Sequence, residues 1–308
     1  MTTQPTAPAA PARDPLYLRG VGLVLVSGCV LSIAGIVVRL MDSANEWQIL
    51  FYRSLSLIAT LLLVLALRNR GRVLQAFRVA GMTGVAGGLF LSLAFTGFIF
   101  SLTHTTVANS FFLLSVSPFM AAALGWIVLG ERVRRVTWLA ICIAVAGVGV
   151  MVVEGIGSGG LLGNVTALGS ALGFAGFTVA LRWGKTRDML PTVCIAALIT
   201  GAVAAVMAPT LGSGFAISPH DLLLCFVLGA VQLGLGLAIY TLGSRHVPAA
   251  ELSLLSLTEV VLGPVWAWFG VGEAPSELTL LGGAIVLAAI AVHALSGLRR
   301  WRPPTGAV

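Results

Sequence analysis

Charge is the first thing that this sequence lacks. Only 9% of its 308 residues are charged and 58% are hydrophobic, and the charges lie in short gaps between ten apolar stretches of roughly 20 residues each. At about 1.5 Å per residue, a helix of that length crosses a hydrocarbon core of about 30 Å. Because a bilayer holds no water to satisfy backbone polar groups, such runs must be helices. We therefore predict an all-α polytopic membrane protein with ten transmembrane helices. The stretches are 20–38, 47–67, 79–102, 105–130, 136–153, 155–181, 189–210, 222–244, 249–271 and 278–298.

Cysteine and histidine are also scarce, with four of each. The cysteines fall inside predicted helices at no ligand-like spacing, which predicts neither a disulfide framework nor a metal site. The chain has no GxxxxGKS/T or HExxH sequence, so it lacks the usual phosphate loop of an ATPase and the zinc motif of a metalloprotease. No nucleophile with a base, and no pair of acids, is grouped in the sequence. We expect no enzyme activity, cofactor or metal.

Acidic residues are fewer than basic ones, which leaves a net charge of +7. All but Arg39 and Arg53 of the basic residues lie in alternate gaps, and basic residues keep short loops on the cytoplasmic side. We therefore predict that both termini are cytoplasmic. These loops face an anionic leaflet, which accounts for the net positive charge. We therefore expect no nucleic-acid partner. The basic side carries Arg13, Arg19, Arg68, Arg70, Arg72, Arg78, Arg132, Arg134, Arg135, Arg182, Lys185, Arg187, Arg245, Arg299, Arg300 and Arg302.

The chain contains an internal repeat. A shift of 142 residues aligns GWIVLGE at 125–131 with AWFGVGE at 267–273. The repeat predicts two five-helix units, at 17–154 and 155–298. Because five crossings are an odd number, the second unit enters the membrane from the opposite side, an inverted arrangement that is typical of secondary transporters with a substrate site at the repeat interface. Matched pairs are His104 with His246, Ser117 with Glu259 and, at a shift of 143, Arg39 with Arg182.

The two ends of the chain fall outside the repeat. Residues 1–16, rich in proline, alanine and threonine, predict a disordered tail. Residues 299–308 are expected to form a cytoplasmic tail.

These features resemble a known family. The five-plus-five arrangement, the Gly-Glu endings at Glu131 and Glu273, Arg53 in the second helix and LTEVV at 257–261 are similar to the EamA-type exporters of the drug/metabolite transporter superfamily. The resemblance covers about 17–298. It implies export of small metabolites such as amino acids, as by the YddG-type amino acid exporters, from the inner membrane of a bacterium.

Glu259 is the strongest candidate for a transport residue, because an acidic side chain near the middle of a membrane helix costs about 2.5–3.5 kcal/mol. Small and polar residues share its helical face and the matched face of the fourth helix, which predicts a cavity between them. There Glu259 would bind an ammonium group or a proton; alternatively it is neutral and holds two helices together. The other candidate cavity residues are Ser256, Gly263 and Trp266 on the ninth helix and Ser110 and Ser117 on the fourth.

Further polar candidates lie on other helices. Arg53 either holds a substrate carboxylate or locks helix packing, and because its long side chain can reach the interface we favour packing. Gln232 and Tyr240 share a face of the eighth helix that can reach a polar group of the substrate. Phe90, matched to Gln232 by the repeat, is predicted to form an apolar wall.

Four residues at helix ends are given structural or gating roles. Glu131 and Glu273 each close a Gly-Glu pair and are predicted to order the loops that follow or, like Arg53, to take part in gating. His104 and His246 lie at matched helix ends, and we predict interfacial hydrogen bonding there rather than a proton relay.

The pattern as a whole favours a secondary transporter that alternates access around a central cavity. An apolar cavity with one carboxylate suits a zwitterion or a cation, so amino acids with aromatic or other apolar side chains are the expected cargo. An exporter of organic cations or drugs is the alternative, and an integral membrane enzyme or a passive channel is a distant one. The expected partners are the small-molecule substrate and the lipid bilayer; the oligomeric state is left open, and a monomer is compatible with the pattern.

Overall fold

The computed structural model is built from helices that cross back and forth. It describes residues 15–68, 73–131, 133–158, 160–184, 188–211, 214–247 and 249–298. We number ten crossings α1–α10, of which α1, α4, α8 and α9 consist of consecutive segments. Their bounds are α1a Pro15–Ser32, α1b Ala34–Arg39, α2 Glu46–Arg68, α3 Val73–His104, α4a Val107–Leu114, α4b Ser117–Leu129, α5 Arg135–Ser158, α6 Leu161–Trp183, α7 Leu190–Leu211, α8a Pro219–Phe226, the π-helical α8b Val227–Leu235, α8c Gly236–Gly243, α9a Ala249–Leu255, α9b Leu257–Val271 and α10 Glu277–Leu298.

The predicted all-α polytopic fold is confirmed. Nine crossings in the described residues are long and apolar enough to span a membrane, and the remaining apolar helix is the shorter Leu257–Val271. Together with α9a it covers the ninth predicted stretch, 249–271, so that stretch is two helices rather than one. The predicted tails at 1–16 and 299–308 lie outside the described residues, apart from the first turn of α1.

Three crossings are interrupted, two near their middle and α1 towards its outer end. The breaks lie at Ile33 in α1, at Ser115–Val116 in α4 and at Ser256 in α9. Pro118 explains the break in α4, because it has no N–H and its ring collides with the carbonyl four residues earlier, where α4a ends. Ser256 donates instead to the carbonyl four residues before it, a bond that bends helices. The break places Glu259 in the first turn of α9b.

The helix packing has the symmetry of the repeat. α6 packs against α3 and α4b, and α1 packs against their counterparts α8 and α9. α2 pairs with α7 and α5 pairs with α10, each with its own counterpart. The interrupted helices α4 and α9 therefore both lie between the two halves, each against the first helix of the other half.

The two ends of the bundle are named after the predicted topology. The outer end carries Glu273, and the inner end carries Glu131. Two buried apolar clusters lie between them, one towards the inner end around Leu61 and one towards the outer end around Ile49. They hold the helices around the space that α4 and α9 leave open.

Candidate functional site

A cavity lies where α4 and α9 are broken. It consists of two adjoining chambers of about 450 Å³ and 350 Å³, within the range of about 300–1,000 Å³ that is usual for small-molecule sites. Both chambers are walled by residues of α4, α6, α8 and α9. The residues that they share are Leu114, Phe174, Thr178, Tyr240, Ser256 and Glu259.

The cavity wall follows the internal repeat. For most lining residues of one half, the residue at the matched position of the other half also lines the cavity. The two-fold symmetry that relates the helices therefore also relates the two sides of the cavity. The chemistry differs at most of the matched positions. The matched lining pairs are Leu31 with Phe174, Leu91 with Leu233, Phe95 with Leu237, Phe98 with Tyr240, Leu114 with Ser256, Ser115 with Leu257, Ser117 with Glu259, and Pro118 with Val260.

Glu259 lines both chambers. Among the described residues, none forms an ion pair or a hydrogen bond with its carboxylate. The first turn of a helix favours a negative charge, because the unbonded N–H groups there carry positive partial charge. α9b therefore presents an unpaired carboxylate to the cavity, whereas α4b presents the hydroxyl of Ser117 at the matched position.

Arg53 lines the smaller chamber and is only 5% exposed. Its guanidinium carbon lies 5.1 Å from the centre of the Phe95 ring, in the geometry of a cation–π contact. No described residue accepts a hydrogen bond from the guanidinium, although arginine carries five N–H donors. The structure thus places Arg53 on the cavity wall, whereas the interpretation that we favoured from the sequence was a role in helix packing.

Gln232 and Tyr240 both reach the cavity. Tyr240 lines both chambers and Gln232 lines the smaller one. Gln232 Nε2 donates to the carbonyl of Leu31 at 3.0 Å, beside the break in α1. Since Gln232 lies in the π-helical segment α8b, its turn of backbone is wider than in an α-helix, a distortion that is frequent at functional sites.

Two predicted wall residues of α4 and α9 do not line the cavity. Ser110 is fully buried, with its hydroxyl 2.7 Å from that of Ser101. The break in α4 separates Ser110 from Ser117, so the two no longer share the face that a continuous helix would give them. Gly263 lies behind Phe111, since a Cβ on this glycine would come within 2.6 Å of the ring. Phe111 covers it from the cavity.

The predictions for Trp266 and Phe90 are corrected in the same way. Trp266 lies towards the outer end of α9b and donates its indole N–H to Ser32 Oγ at 2.9 Å, which joins α9 to α1. Phe90 is 43% exposed and packs over Gly176 of α6. Its sequence counterpart Gln232 lines the smaller chamber, so this matched pair departs from the symmetry of the wall.

The wall also contains aromatic residues that sequence reasoning missed. Phe95, Phe98 and Phe174 line the smaller chamber, and Thr178 joins them from α6. The repeat was the signal that could have found Phe98, because a shift of 142 residues matches it with Tyr240. With Tyr240 they add aromatic surface to a wall that is otherwise mostly aliphatic and small polar residues.

Glu131 and Glu273 lie outside the cavity, at opposite ends of the bundle. Glu131 pairs with Arg182 at 2.8 Å and Glu273 pairs with Arg39 at 2.5 Å. Their contacts reach across to other helices, beyond the loop-ordering role that was predicted from their positions.

One group of described residues has metal-like spacing at the outer end, namely Asp42, His220 and Asp221. The Asp221 carboxylate accepts hydrogen bonds from the backbone N–H groups of Asp42, Ser43 and Ala44 at 2.8–3.0 Å. Its oxygens therefore already brace the loop between α1 and α2. We interpret the group as a structural support for that loop.

Comparison with known proteins gives consistent matches. The model of the EamA-like transporter family matches residues 18–153 and again 161–295. The chain is 28% identical over 246 residues to the Pseudopaline exporter CntI of Pseudomonas aeruginosa (strain UCBPP-PA14), covering 79% of this chain and 84% of that protein. It is 25% identical over 178 residues to the Uncharacterized transporter YwfM of Bacillus subtilis (strain 168), covering 57% of this chain and 60% of that one.

A solved crystal structure shares the fold. It covers 94% of this chain and 100% of its own with a TM-score of 0.61, at 18% identity.

Proposed function

Because this chain belongs to the EamA-like transporter family, and is therefore a small-molecule exporter of the bacterial inner membrane rather than an enzyme, we propose that its cargo carries both an amino and a carboxylate group. Amino acids and their close derivatives are the simplest molecules of this kind. The observation that carries the proposal is the presence of Glu259 and Arg53 on the wall of one chamber, each without a charged or hydrogen-bonding partner.

Two unpaired charges inside a membrane protein are costly. A charged residue within the hydrocarbon costs about 2.5–3.5 kcal/mol even on insertion scales, and such residues normally pair with one another or with carbonyls. Glu259 and Arg53 do neither among the described residues, although they line the same chamber. A ligand with a cationic and an anionic end would satisfy both. The amino group binds Glu259, and the carboxylate binds the free N–H groups of Arg53.

The rest of the wall sets the size and character of the cargo. Phe95, Phe98, Phe174 and Tyr240 surround the charged residues with aromatic rings, which bury apolar groups well and prefer other rings in offset or edge-on contact. A chamber of about 350 Å³ accommodates a single small metabolite. Amino acids with aromatic or other apolar side chains fit this combination of charge and apolar surface.

The architecture supplies a transport mechanism. Interrupted helices in corresponding positions of two inverted repeats are the usual way to build a midplane site, and rocking one repeat against the other exposes that site to each side in turn. α4 and α9 are such a pair, and the cavity lies between them. We infer that the cargo enters from the inner end, rests between Glu259 and Arg53, and leaves at the outer end.

Counterflow in proteoliposomes tests this proposal. Vesicles are preloaded with one unlabelled solute and the accelerated entry of its labelled form is measured, with and without a pH gradient. The panel contains apolar amino acids, their decarboxylated amines, quaternary ammonium cations and pseudopaline, the cargo named for the relative from P. aeruginosa. We expect exchange of amino acids or of another amphoteric solute. Exchange of the cations alone, or of no amphoteric solute, would overturn the proposed cargo class.

A matched pair of variants accompanies the counterflow assay. Glu259→Gln removes the carboxylate from the cavity, whereas Glu251→Gln makes the same change on α9a, outside the cavity wall, where Glu251 accepts a hydrogen bond from Tyr17. Exchange should be lost in the first variant and retained in the second. Equal loss in both would mean that the effect comes from the folding of α9.

Export of organic cations is the second candidate. A carboxylate in an aromatic cavity is suited to a cation, which the ring faces also attract. Arg53 argues against a purely cationic cargo, because its positive charge in the same chamber repels one. The decarboxylated amines in the panel separate the two candidates, since a cation exporter would exchange them at least as fast as the amino acids.

A further inference from the structure

Two ion pairs join the halves of the protein at opposite ends of the bundle. At the outer end Arg39 Nε lies 2.5 Å from Glu273, and at the inner end Arg182 Nη1 lies 2.8 Å from Glu131. The repeat relates the two pairs, since a shift of 143 residues matches the arginines and a shift of 142 matches the glutamates. We propose that these pairs are the closing contacts of an outer and an inner gate, and that they open in alternation.

Each pair crosses the interface between the two halves. Arg39 of the first half binds Glu273 of the second, and Arg182 of the second half binds Glu131 of the first. A rocking motion of one half against the other separates the helices at one end while it brings them together at the other. The pair at the opening end must then break. Because the pairs are repeat-related, the two open states are stabilised by the same kind of contact at opposite ends.

The chain holds both glutamates in place in the same way. α4b and α9b end on Gly130 and Gly272 in the left-handed region, at φ 65° and 71°, which glycine adopts at no steric cost. The next residue, Glu131 or Glu273, then donates its N–H to the carbonyl six residues earlier at 3.2 Å. A carboxylate at a helix C-terminus meets unfavourable partial charge. The arginine across the interface offsets that charge, so each gate favours its closed state.

The outer pair is held by additional bonds. Arg39 also donates to the carbonyl of Thr105 at 2.6 Å and to that of Leu102. Glu273 accepts from the N–H of Val107, the first residue of α4a, at 2.6 Å. These contacts tie α1, α3, α4 and α9 together at one point. The two charged side chains are only 24% and 19% exposed.

The inner pair is looser. Arg182 makes one additional bond, to the carbonyl of Ala121 at 3.0 Å, and both charged side chains are 40% exposed. The cavity extends to this pair, because Ala121 and Leu181, the neighbour of Arg182, are on its wall.

Aromatic packing separates the cavity from the outer end. The rings of Phe98 and Phe111 meet edge to face there, with centres 5.4 Å apart. Among the described residues, three further hydrogen bonds thus hold the Arg39–Glu273 pair at the outer gate, whereas one further hydrogen bond holds the Arg182–Glu131 pair at the inner gate.

The proposal predicts opposite effects for equivalent substitutions. Glu273→Gln keeps the size of the side chain but removes the outer pair, so it should favour the state that is open outside. Glu131→Gln should favour the state that is open inside. Loss of a partly buried, charge-assisted contact of this kind shifts a two-state equilibrium by about tenfold. The larger shift is expected for Glu273→Gln, because more bonds depend on it.

Accessibility of the cavity from each side measures these shifts. A single cysteine replaces Leu114 on the wall of both chambers, in a background without Cys29, Cys142, Cys194 and Cys225. A membrane-impermeant maleimide is added to right-side-out or to inverted vesicles, and the labelling rates are compared. We expect Glu273→Gln to raise outside labelling about tenfold and lower inside labelling, and Glu131→Gln to do the reverse. Labelling needs no cargo, so the result is independent of the proposed function.

A charged contact within one half provides the matched control. Glu46 Oε1 lies 3.6 Å from His104 Nδ1 at the outer end, with side chains 23% and 34% exposed. The two residues belong to α2 and α3 of the first half, so rocking of one half against the other does not separate them. Glu46→Gln should therefore leave the ratio of outside to inside labelling unchanged.

Two further variants protect the test against misfolding. The charge exchange Arg39→Glu with Glu273→Arg should restore part of the wild-type labelling ratio, whereas Arg39→Gln should reproduce the effect of Glu273→Gln. Each variant is first required to elute as a single species on size exclusion. The proposal is overturned if folded Glu131→Gln and Glu273→Gln shift labelling in the same direction, or if neither changes it. If Glu273→Gln does not fold, Arg39→Gln takes its place in this comparison.

Discussion

Replacing Arg53 by leucine should weaken the binding of a cargo that has a carboxylate, without destabilising the protein. Its guanidinium is 5% exposed and has no hydrogen-bond acceptor among the described residues, so the folded protein gains little from the charge. The contact with the Phe95 ring is the exception and contributes about 0.5–2 kcal/mol. Removing an uncompensated buried charge recovers about 2.5–3.5 kcal/mol. The recovered energy is the larger, so the Tm should not fall, and a rise of a few degrees follows at about 2–4 °C per kcal/mol.

The effect on transport should be much larger. Loss of one partner from a buried, hydrogen-bonded charge pair costs about 2–5 kcal/mol, which at 1.4 kcal/mol per tenfold is a loss of affinity of about 30-fold or more. A cargo with a carboxylate should therefore show a correspondingly higher KM in Arg53→Leu. An analogue in which the carboxylate is esterified makes no such bond, so its exchange should be unchanged or faster.

The assay combines thermal stability in detergent with counterflow kinetics in vesicles. Arg68→Leu is the control, because it makes the same substitution on the same helix but breaks only a partly exposed ion pair with Asp188. It should leave KM unchanged. A fall in Tm of many degrees in Arg53→Leu, together with equal loss of the acid and its ester, would refute the reasoning and restore the packing role for Arg53.

Three other substitutions test separate parts of the structure. Glu259→Gln should abolish counterflow while the protein still elutes as a single folded species, because the change keeps the volume and removes only the charge. Gly173→Ala should lower the free energy of unfolding by about 1–3 kcal/mol, since a Cβ there comes within 2.6 Å of the backbone of α3. Gly169→Ala on the same helix is the control, because a Cβ there meets nothing within 4 Å. In a thermal melt only Gly173→Ala should lower the Tm. Asp221→Ala should lower Tm by removing bonds worth about 2–3 kcal/mol, and a chelator should leave the Tm of the unmodified protein unchanged if this carboxylate only braces the loop.

Much of this architecture could be predicted from the sequence, because lipid leaves few choices to an apolar stretch of this length. The breaks were harder to predict. Pro118 is a visible reason for α4 to break, but α9 has no proline at the matched position, Val260, and breaks at Ser256 through a side-chain hydrogen bond. A break changes which residues share a face, and Ser110, which precedes the break in α4, lines neither chamber.

The candidate site, too, could be predicted only in part. The repeat and the helical period together pointed to Glu259, Ser117 and Tyr240, and the structure places all three on the cavity wall. Phe90 lines neither chamber, although its matched residue Gln232 lines the smaller one. The position of Arg53 depended on the packing of α2 against α8, a long-range contact that periodicity within one helix does not contain.

The central claim is that opposite ends of one cargo molecule bind Arg53 and Glu259. It is tested most directly by counterflow of an exchanged amino acid, its methyl ester and its N-acetyl derivative in the wild-type protein, Arg53→Leu and Glu259→Gln. The account predicts that the wild-type protein exchanges the amino acid far faster than either derivative, that Arg53→Leu does not slow the ester, and that Glu259→Gln does not slow the N-acetyl derivative. Equal exchange of all three solutes by the wild-type protein would contradict it.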